Sequence, residues 1–269
     1  HYIVPMIEDD MDFSCNVDNL VKYYKEALAL NIVTTPSIIG PFTFLKLCRF
    51  NGKKGIDDVC YDILNVYVEA LAKLESLGVE IVQVQEPYLV MDLTEEDKKL
   101  FTNLYTKLFT DIKSVKIVLQ SYFGDIRDIY EEVCKLGFYG IGIDFVEGKQ
   151  SLSLIKEKGF PKEKLLLAGV VNGKNIWKND YSKTIELVKE LENYTDKIVL
   201  NTSCSLLHVP YTLDNEVNLE EDKKKHFAFA EEKLSELEEL SKILSGEGEN
   251  LLEANKGLFS EKRVEEENQ

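Results

Sequence analysis

The segment "KIVLQSYFGDIRDIYEEVCKLGFYGIGIDFV", residues 116–146, decides the fold. It opens on a compact apolar run, Ile117–Leu119. It passes through a helix-length stretch, 126–137, that closes on Gly137, and it returns to a second apolar run over 139–146. Near-continuous apolar runs of this length mark strands buried on both faces, and a terminal glycine is a natural helix stop. Two such strands joined by a helix lie parallel, because the crossover returns the chain to the same end of the sheet. The same pattern extends outward in both directions. Strands are expected at 1–5, 37–42, 79–85, 116–121, 139–145, 164–171 and 197–203. Helical spacing is expected at 23–30, 57–78, 95–112, 126–137, 151–159, 180–194 and 220–244. Seven parallel strands alternating with helices predict an α/β fold, specifically a (β/α)8 TIM-type barrel that lacks its first strand in this chain. A doubly wound sheet is the alternative, but no G-x-G-x-x-G follows any strand. The expected organisation is one barrel domain over 1–269, with 245–269 as an acidic helical or frayed tail.

Composition narrows the partners. The chain has 269 residues, 44% of them hydrophobic, including 13 Phe and 13 Tyr, so a substantial core is within reach. The net charge of −16 argues against nucleic acid and anionic membrane, since phosphate binding needs a basic face. No run reaches the roughly 18 apolar residues of a membrane span, and no signal peptide opens the sequence. The cysteines Cys15, Cys48, Cys60, Cys134 and Cys204 are odd in number and free of C-x-x-C spacing, which reads as reduced thiols in the cytoplasm. The first residue is His1, not Met, so the sequence is expected to begin inside a longer protein or to have been trimmed.

In a barrel the chemistry gathers at the C-terminal ends of the strands. The polar residues expected there are Glu86 beside Gln85, Tyr122 after Gln120 and Ser121, Asp144, then Asn172, Lys174 and Asn175, then Cys204 between Ser203 and Ser205, and His208. They are candidate substrate-binding residues; several would serve equally as caps and loop starts. Glu86 precedes Pro87, which ends the strand because it cannot donate a ladder hydrogen bond. Its side chain is therefore expected to enter the barrel mouth or brace a neighbouring strand end. In "NTSCSLLHVP", 201–210, Cys204 and His208 have three readings: half a metal site, a thiol with its base, or loop structure. His226, beside Phe227 and Phe229, reads as structural.

The stretches "IIGPFTFL", "VQVQEPYLVMDL", "SYFG", "GFPKEKLLLAGVVNGKNIWK" and "SCSLLHVP" resemble the N-terminal half of the cobalamin-independent methionine synthase family, from "HYIVP" to "NKGLF". The resemblance implies two barrels face to face, with methyl transfer from 5-methyltetrahydropteroyl-triglutamate to homocysteine and the folate bound between them. It implies zinc in the C-terminal barrel, which would be this chain's partner, and no cofactor here. A Lys-containing segment that helps hold the folate tail would lie upstream of His1.

A thiol-activating zinc takes about four ligands with one position open. Set against the family's His and Cys, then Glu, then Cys, this sequence offers none in "QSYFGD", Asp144 in "GIDFV" and Cys204 in "TSCSLL". The family's substrate-binding Asp in "IDEP" is replaced by Gln85 in "VQEP", and its acid His falls near Lys174. The resemblance thus implies a barrel with no catalytic residue and no metal, inactive alone, in which Cys204 is a relic. Trp177 offers a face for a pterin, or an interdomain or core contact. A basic patch at Lys46, Arg49, Lys53 and Lys54 would offset the charge of a glutamate tail. The rival readings are a stand-alone folate- or amino-acid-binding module and a self-sufficient methyltransferase of the same superfamily.

Overall fold

The computed structural model describes residues 4–267, with side chains through 260. The chain forms two compact units. One holds the residues up to Ser121 together with Ile126–Gly142; the other holds Tyr122–Asp125 and the residues from Ile143 onward.

The first unit runs β1 (Met6–Glu8), α1 (Asp18–Ala29), β2 (Ser37–Ile39), α2 (Pro41–Leu47), β3 (Arg49–Asn51), α3 (Ile56–Ser76), β4 (Ile81–Gln85), α4 (Glu95–Asp111), β5 (Lys116–Gln120), α5 (Tyr130–Lys135) and the start of β6 (Gly140–Asp144). Strands β2, β4, β5 and β6 pair in that order, all parallel. Their register aligns Ile38, Val84, Leu119 and Ile141 in one row across the sheet. Against it pack the apolar face of α3, through Ile63, Leu64, Leu71 and Leu74, and the aromatic face of α4. Phe101 and Tyr105 lie 4.7 Å apart by ring centroid, and Tyr105 meets Phe138 at 4.9 Å. Helix α4 starts where Thr94 accepts the Asp97 N–H and Asp97 accepts the Thr94 N–H, each at 3.2 Å, a reciprocal cap that satisfies two otherwise orphaned donors.

The second unit contains the end of β6, α6 (Ser151–Lys158), β7 (Leu165–Val171), α7 (Tyr181–Leu191), β8 (Ile198–Thr202), α8 (Glu221–Lys224), α9 (Ala230–Leu244) and α10 (Glu249–Glu267). Strands β7 and β8 are parallel, with an irregularity between Gly169 and Val171. The chain leaving β6 lies on β7, where the Phe145 N–H donates to the Gly169 carbonyl at 3.0 Å. The core here is Leu166, Ala168, Val171, Tyr181, Val188, Leu191 and Leu240. Among the described residues no helix is long and apolar enough to cross a membrane.

The α/β class with parallel strands follows the reading of 116–146, and several boundaries differ from expectation for local reasons. Residues 1–3 of the expected first strand lie outside the described residues. Val4 and Pro5 precede the strand, which forms at Met6–Glu8 and pairs with β3, a strand the sequence pattern did not reveal. The strand expected at 37–42 stops at Ile39, because Pro41 takes the first position of α2, where its missing N–H costs nothing. The helix expected from 126 begins only at Tyr130; it is preceded by a turn in which Asp128 accepts the Leu93 N–H at 2.9 Å. The helix expected over 220–244 breaks into α8 and α9. Between them the chain forms an antiparallel bridge, Trp177 to Phe227, with Ala228 N–H donating to the Ile176 carbonyl at 2.8 Å. Among the described residues no disulfide joins any of the five cysteines.

Helix α10 is tied to the start of α7 by one buried side chain. Asn255, 3% exposed, accepts the Tyr181 N–H at 3.0 Å and donates to the Asn179 carbonyl at 2.9 Å. Asn255→Ala leaves both backbone groups unmatched and should lower stability by about 2–3 kcal/mol, seen as a lower urea midpoint.

Candidate functional site

Two strand ends carry buried carboxylates, one in each unit. In the first, the side chain of Glu86, immediately after β4, is 0% exposed. It accepts the N–H of Phe42 at 3.1 Å, the N–H of Thr43 at 2.6 Å and the Tyr105 hydroxyl at 2.5 Å. Those amides belong to the first turn of α2, whose donors have no partner within the helix. The residue preceding that helix, Gly40, has no side chain to cap it, and a Cβ there would lie 2.0 Å from Glu86 Oε1. The glycine therefore leaves room for a cap delivered from the neighbouring strand. The Glu86 carboxylate is thus turned onto the start of α2, the helix that follows the neighbouring strand β2. Burial pushes its carboxyl up to about 7, outweighing the hydrogen bonds that favour the charge.

The cations of the expected basic patch are also in this unit. Lys46 pairs with Asp97 at 2.7 Å and lies 5.3 Å over the Tyr88 ring. Arg49 is on β3, and the backbone N–H groups of Lys53 and Lys54 hold the Asp9 carboxylate at 2.9–3.0 Å.

The other seven expected site residues are in the second unit. Asp144, at the end of β6 and 1% exposed, accepts the N–H groups of Phe123 at 3.0 Å, Val146 at 2.8 Å and Glu147 at 2.9 Å. Burial pushes its carboxyl up against the pull of these bonds. Phe123 has φ +73, the left-handed region that costs a side-chain-bearing residue about 1–3 kcal/mol. The Asp144 bond to its amide helps hold that conformation, which fixes the ring. Around the ring stand Tyr122 at 4.8 Å and His208 at 5.4 Å between centroids, with Lys174 Nζ 5.2 Å from its centre. Lys174 also pairs with Glu147 at 3.0 Å. Asn172 aims the following loop: its side-chain oxygen accepts the N–H of Lys174 at 2.8 Å and of Asn175 at 3.1 Å.

Cys204 is 5% exposed. Its Sγ points to the Ser205 carbonyl at 3.7 Å, and a Cβ on Gly173 would come within 2.9 Å of the sulfur. Burial pushes its thiol up, partly opposed by Ser203 and the Lys174 charge. That is the environment of an inert structural thiol rather than a nucleophile. His208 packs on Phe123, and no hydrogen bond joins it to Cys204 among the described residues.

The donor set does not fit a thiol-activating zinc. Both Asp144 oxygens are engaged by backbone N–H groups, Cys204 favours its protonated form, and the Tyr122–Asp125 segment contributes only the Phe123 amide. Among the described residues no group of three or more His, Cys, Asp or Glu could hold a metal ion. Sequence reasoning did not single out Phe123 or Glu147. The available signal was the aromatic pair 122–123 followed directly by Gly124 at a strand end.

Residues 1–196 match the family described as cobalamin-independent synthase, N-terminal domain. The chain is 48% identical over 266 residues to a protein of Lactococcus lactis subsp. lactis named 5-methyltetrahydropteroyltriglutamate–homocysteine methyltransferase, covering 99% of this chain and 35% of that one. A protein of the same name from Campylobacter jejuni subsp. doylei is 48% identical over 260 residues, covering 96% and 34%. The chain thus spans about a third of the length of these curated relatives. Its fold matches a solved B12-independent methionine synthase from Shewanella sp. W3-18-1, in complex with selenomethionine, with a TM-score of 0.56. That match is 16% identical and covers 75% of this chain and 63% of that one.

The Glu86 carboxyl gives a pH signature. In an unfolded chain it titrates near 4.5, in the folded one at about 7, so the folded state binds the extra proton between those values. Its stabilising contribution is full below 4.5 and is lost as pH rises through about 7. Between pH 5 and pH 8 that loss should amount to about 2–3 kcal/mol in urea unfolding. Glu86→Gln should flatten the slope in this window.

Proposed function

Because the chain belongs to the family of cobalamin-independent synthase N-terminal domains, we propose that it is the N-terminal part of a methyltransferase acting on 5-methyltetrahydropteroyltriglutamate and homocysteine. In the reaction a sulfur–carbon bond forms as the methyl–nitrogen bond of the folate breaks, and the folate nitrogen takes up a proton. The observation that carries this reading is close identity over nearly the whole chain to relatives three times its length. The rest of such an enzyme would be a C-terminal zinc-binding barrel. A metal held there would supply the stabilisation of the homocysteine thiolate, which a free thiol, with a pKa near 8.5, scarcely provides at neutral pH.

This chain's role in the proposal is binding, in the cytoplasm. Tyr122, Lys174, Asn175 and His208 would face the folate, with Lys174 attracting its carboxylates. Glu86, Asp144, Asn172 and Cys204 would be positioning residues. Support comes from the commitment of both buried carboxylates to backbone amides, which leaves neither free to act as a base.

The test is methyl transfer with labelled folate. The chain alone should form no methionine. It should bind the triglutamate folate weakly, with affinity that falls as salt screens the charges. Lys174→Gln should weaken that binding by about threefold to tenfold. Turnover by the isolated chain would overturn the proposal in favour of a self-sufficient enzyme.

A further inference from the structure

A second site in the same unit lies where the loop after β7 meets the turn between α8 and α9. Two short extended stretches pair there: the Lys178 N–H donates to the His226 carbonyl at 2.9 Å and the Ala228 N–H to the Ile176 carbonyl at 2.8 Å. From behind, the fully buried Lys233 of α9 donates to the Trp177 carbonyl at 3.1 Å, fixing the bridge. The pairing brings the Trp177 and Phe227 rings to 5.1 Å between centroids, tilted by 32°. With Phe259 of α10 they wall a cavity of about 220 Å³.

The charge of the lining is unexpected for this chain. Lys178, Lys223 and Lys225 stand around the aromatic floor, and no Asp or Glu lines the cavity among the described residues, although the chain carries a net charge of −16. Trp177 is 51% exposed, so a large apolar ring is held open to solvent. Lys223 and Lys225 pair with Glu220 and Asp222, each at 2.8 Å, across one turn of exposed backbone. Exposed pairs of this kind contribute little and exchange readily for a better-placed anion.

We propose that this cavity is a binding site for a small anion carrying a flat apolar group, such as an aryl phosphate or aryl carboxylate. The rings remove the apolar body from water and offer it a stacking face. The lysines supply charge-assisted hydrogen bonds to the anionic head. A volume below the usual range of ligand cavities restricts the occupant to a small molecule. The site is separate from the cluster around Phe123 and does not depend on the function proposed above.

Trp177 is the single tryptophan of the sequence, so the chain labelled with 5-fluorotryptophan gives one fluorine NMR resonance, at the floor of the cavity. Titration with 1-naphthyl phosphate should shift that resonance saturably, and added salt should weaken the binding. Neutral 2-naphthol should bind at least about tenfold more weakly, as should inorganic phosphate. The double variant Lys178→Gln, Lys225→Gln changes two partly exposed side chains. It should lose about tenfold in affinity while circular dichroism and the urea midpoint stay unchanged. A shift that does not saturate, equal affinity for naphthol and naphthyl phosphate, or unaltered affinity in the double variant would each overturn the proposal.

Discussion

A parallel strand that ends inside a protein leaves the next turn's N–H groups without partners, and burial makes that cost severe. This chain meets the constraint twice in the same way, with a buried carboxylate placed just past or at the strand end. Glu86 takes two amides of the first turn of α2 and the Tyr105 hydroxyl. Asp144 takes three amides, one from the Tyr122–Asp125 segment and two from its own turn. In each unit one loop after a strand takes its form from a buried acid.

The same commitment shapes the chemistry available. A carboxylate engaged by two or three N–H donors is a poor candidate for moving protons on a substrate. A thiol pressed against backbone at Gly173 is a poor metal ligand. Around the Phe123 ring stand the exposed Lys174 and His208 side chains and the half-buried Tyr122 ring, an amphipathic surface. Such a surface suits the binding role proposed above, in a chain that spans only about a third of the length of its curated relatives.

Helix α9 shows how polar groups on a buried face organise a loop. Lys233 holds the Trp177 carbonyl at 3.1 Å and Glu236 accepts the Asn179 N–H at 2.8 Å. Burial drives the two side chains in opposite directions, lowering the lysine and raising the glutamate, while each partly offsets the other. Among the described residues Glu236 Oε2 finds no hydrogen-bond partner. These two residues clamp the 177–179 segment, and with it the aromatic wall of the second cavity.

The alternation of apolar runs with helix-length segments was enough to establish the α/β class and the strands at 79–85, 116–121, 139–145, 164–171 and 197–203, because burial of both sheet faces writes itself directly into hydropathy. Motifs such as "GVVNGKNIW" and "SCSLLHVP" likewise placed the family. The strand at Arg49–Asn51 escaped notice because three residues carry too little period, and it exists only through its pairing with Met6–Glu8. The break between α8 and α9 escaped because 220–244 has good helical character. The competing bridge to Trp177, some fifty residues away in sequence, is a long-range contact. The candidate site divides in the same manner. Polar residues at strand ends can be read from the sequence, since strand ends are where apolar runs stop. Whether Glu86, Asp144 and Cys204 face a ligand or the backbone was decided only by tertiary structure, because hydropathy records that a residue is polar and not which amide or open space its side chain meets.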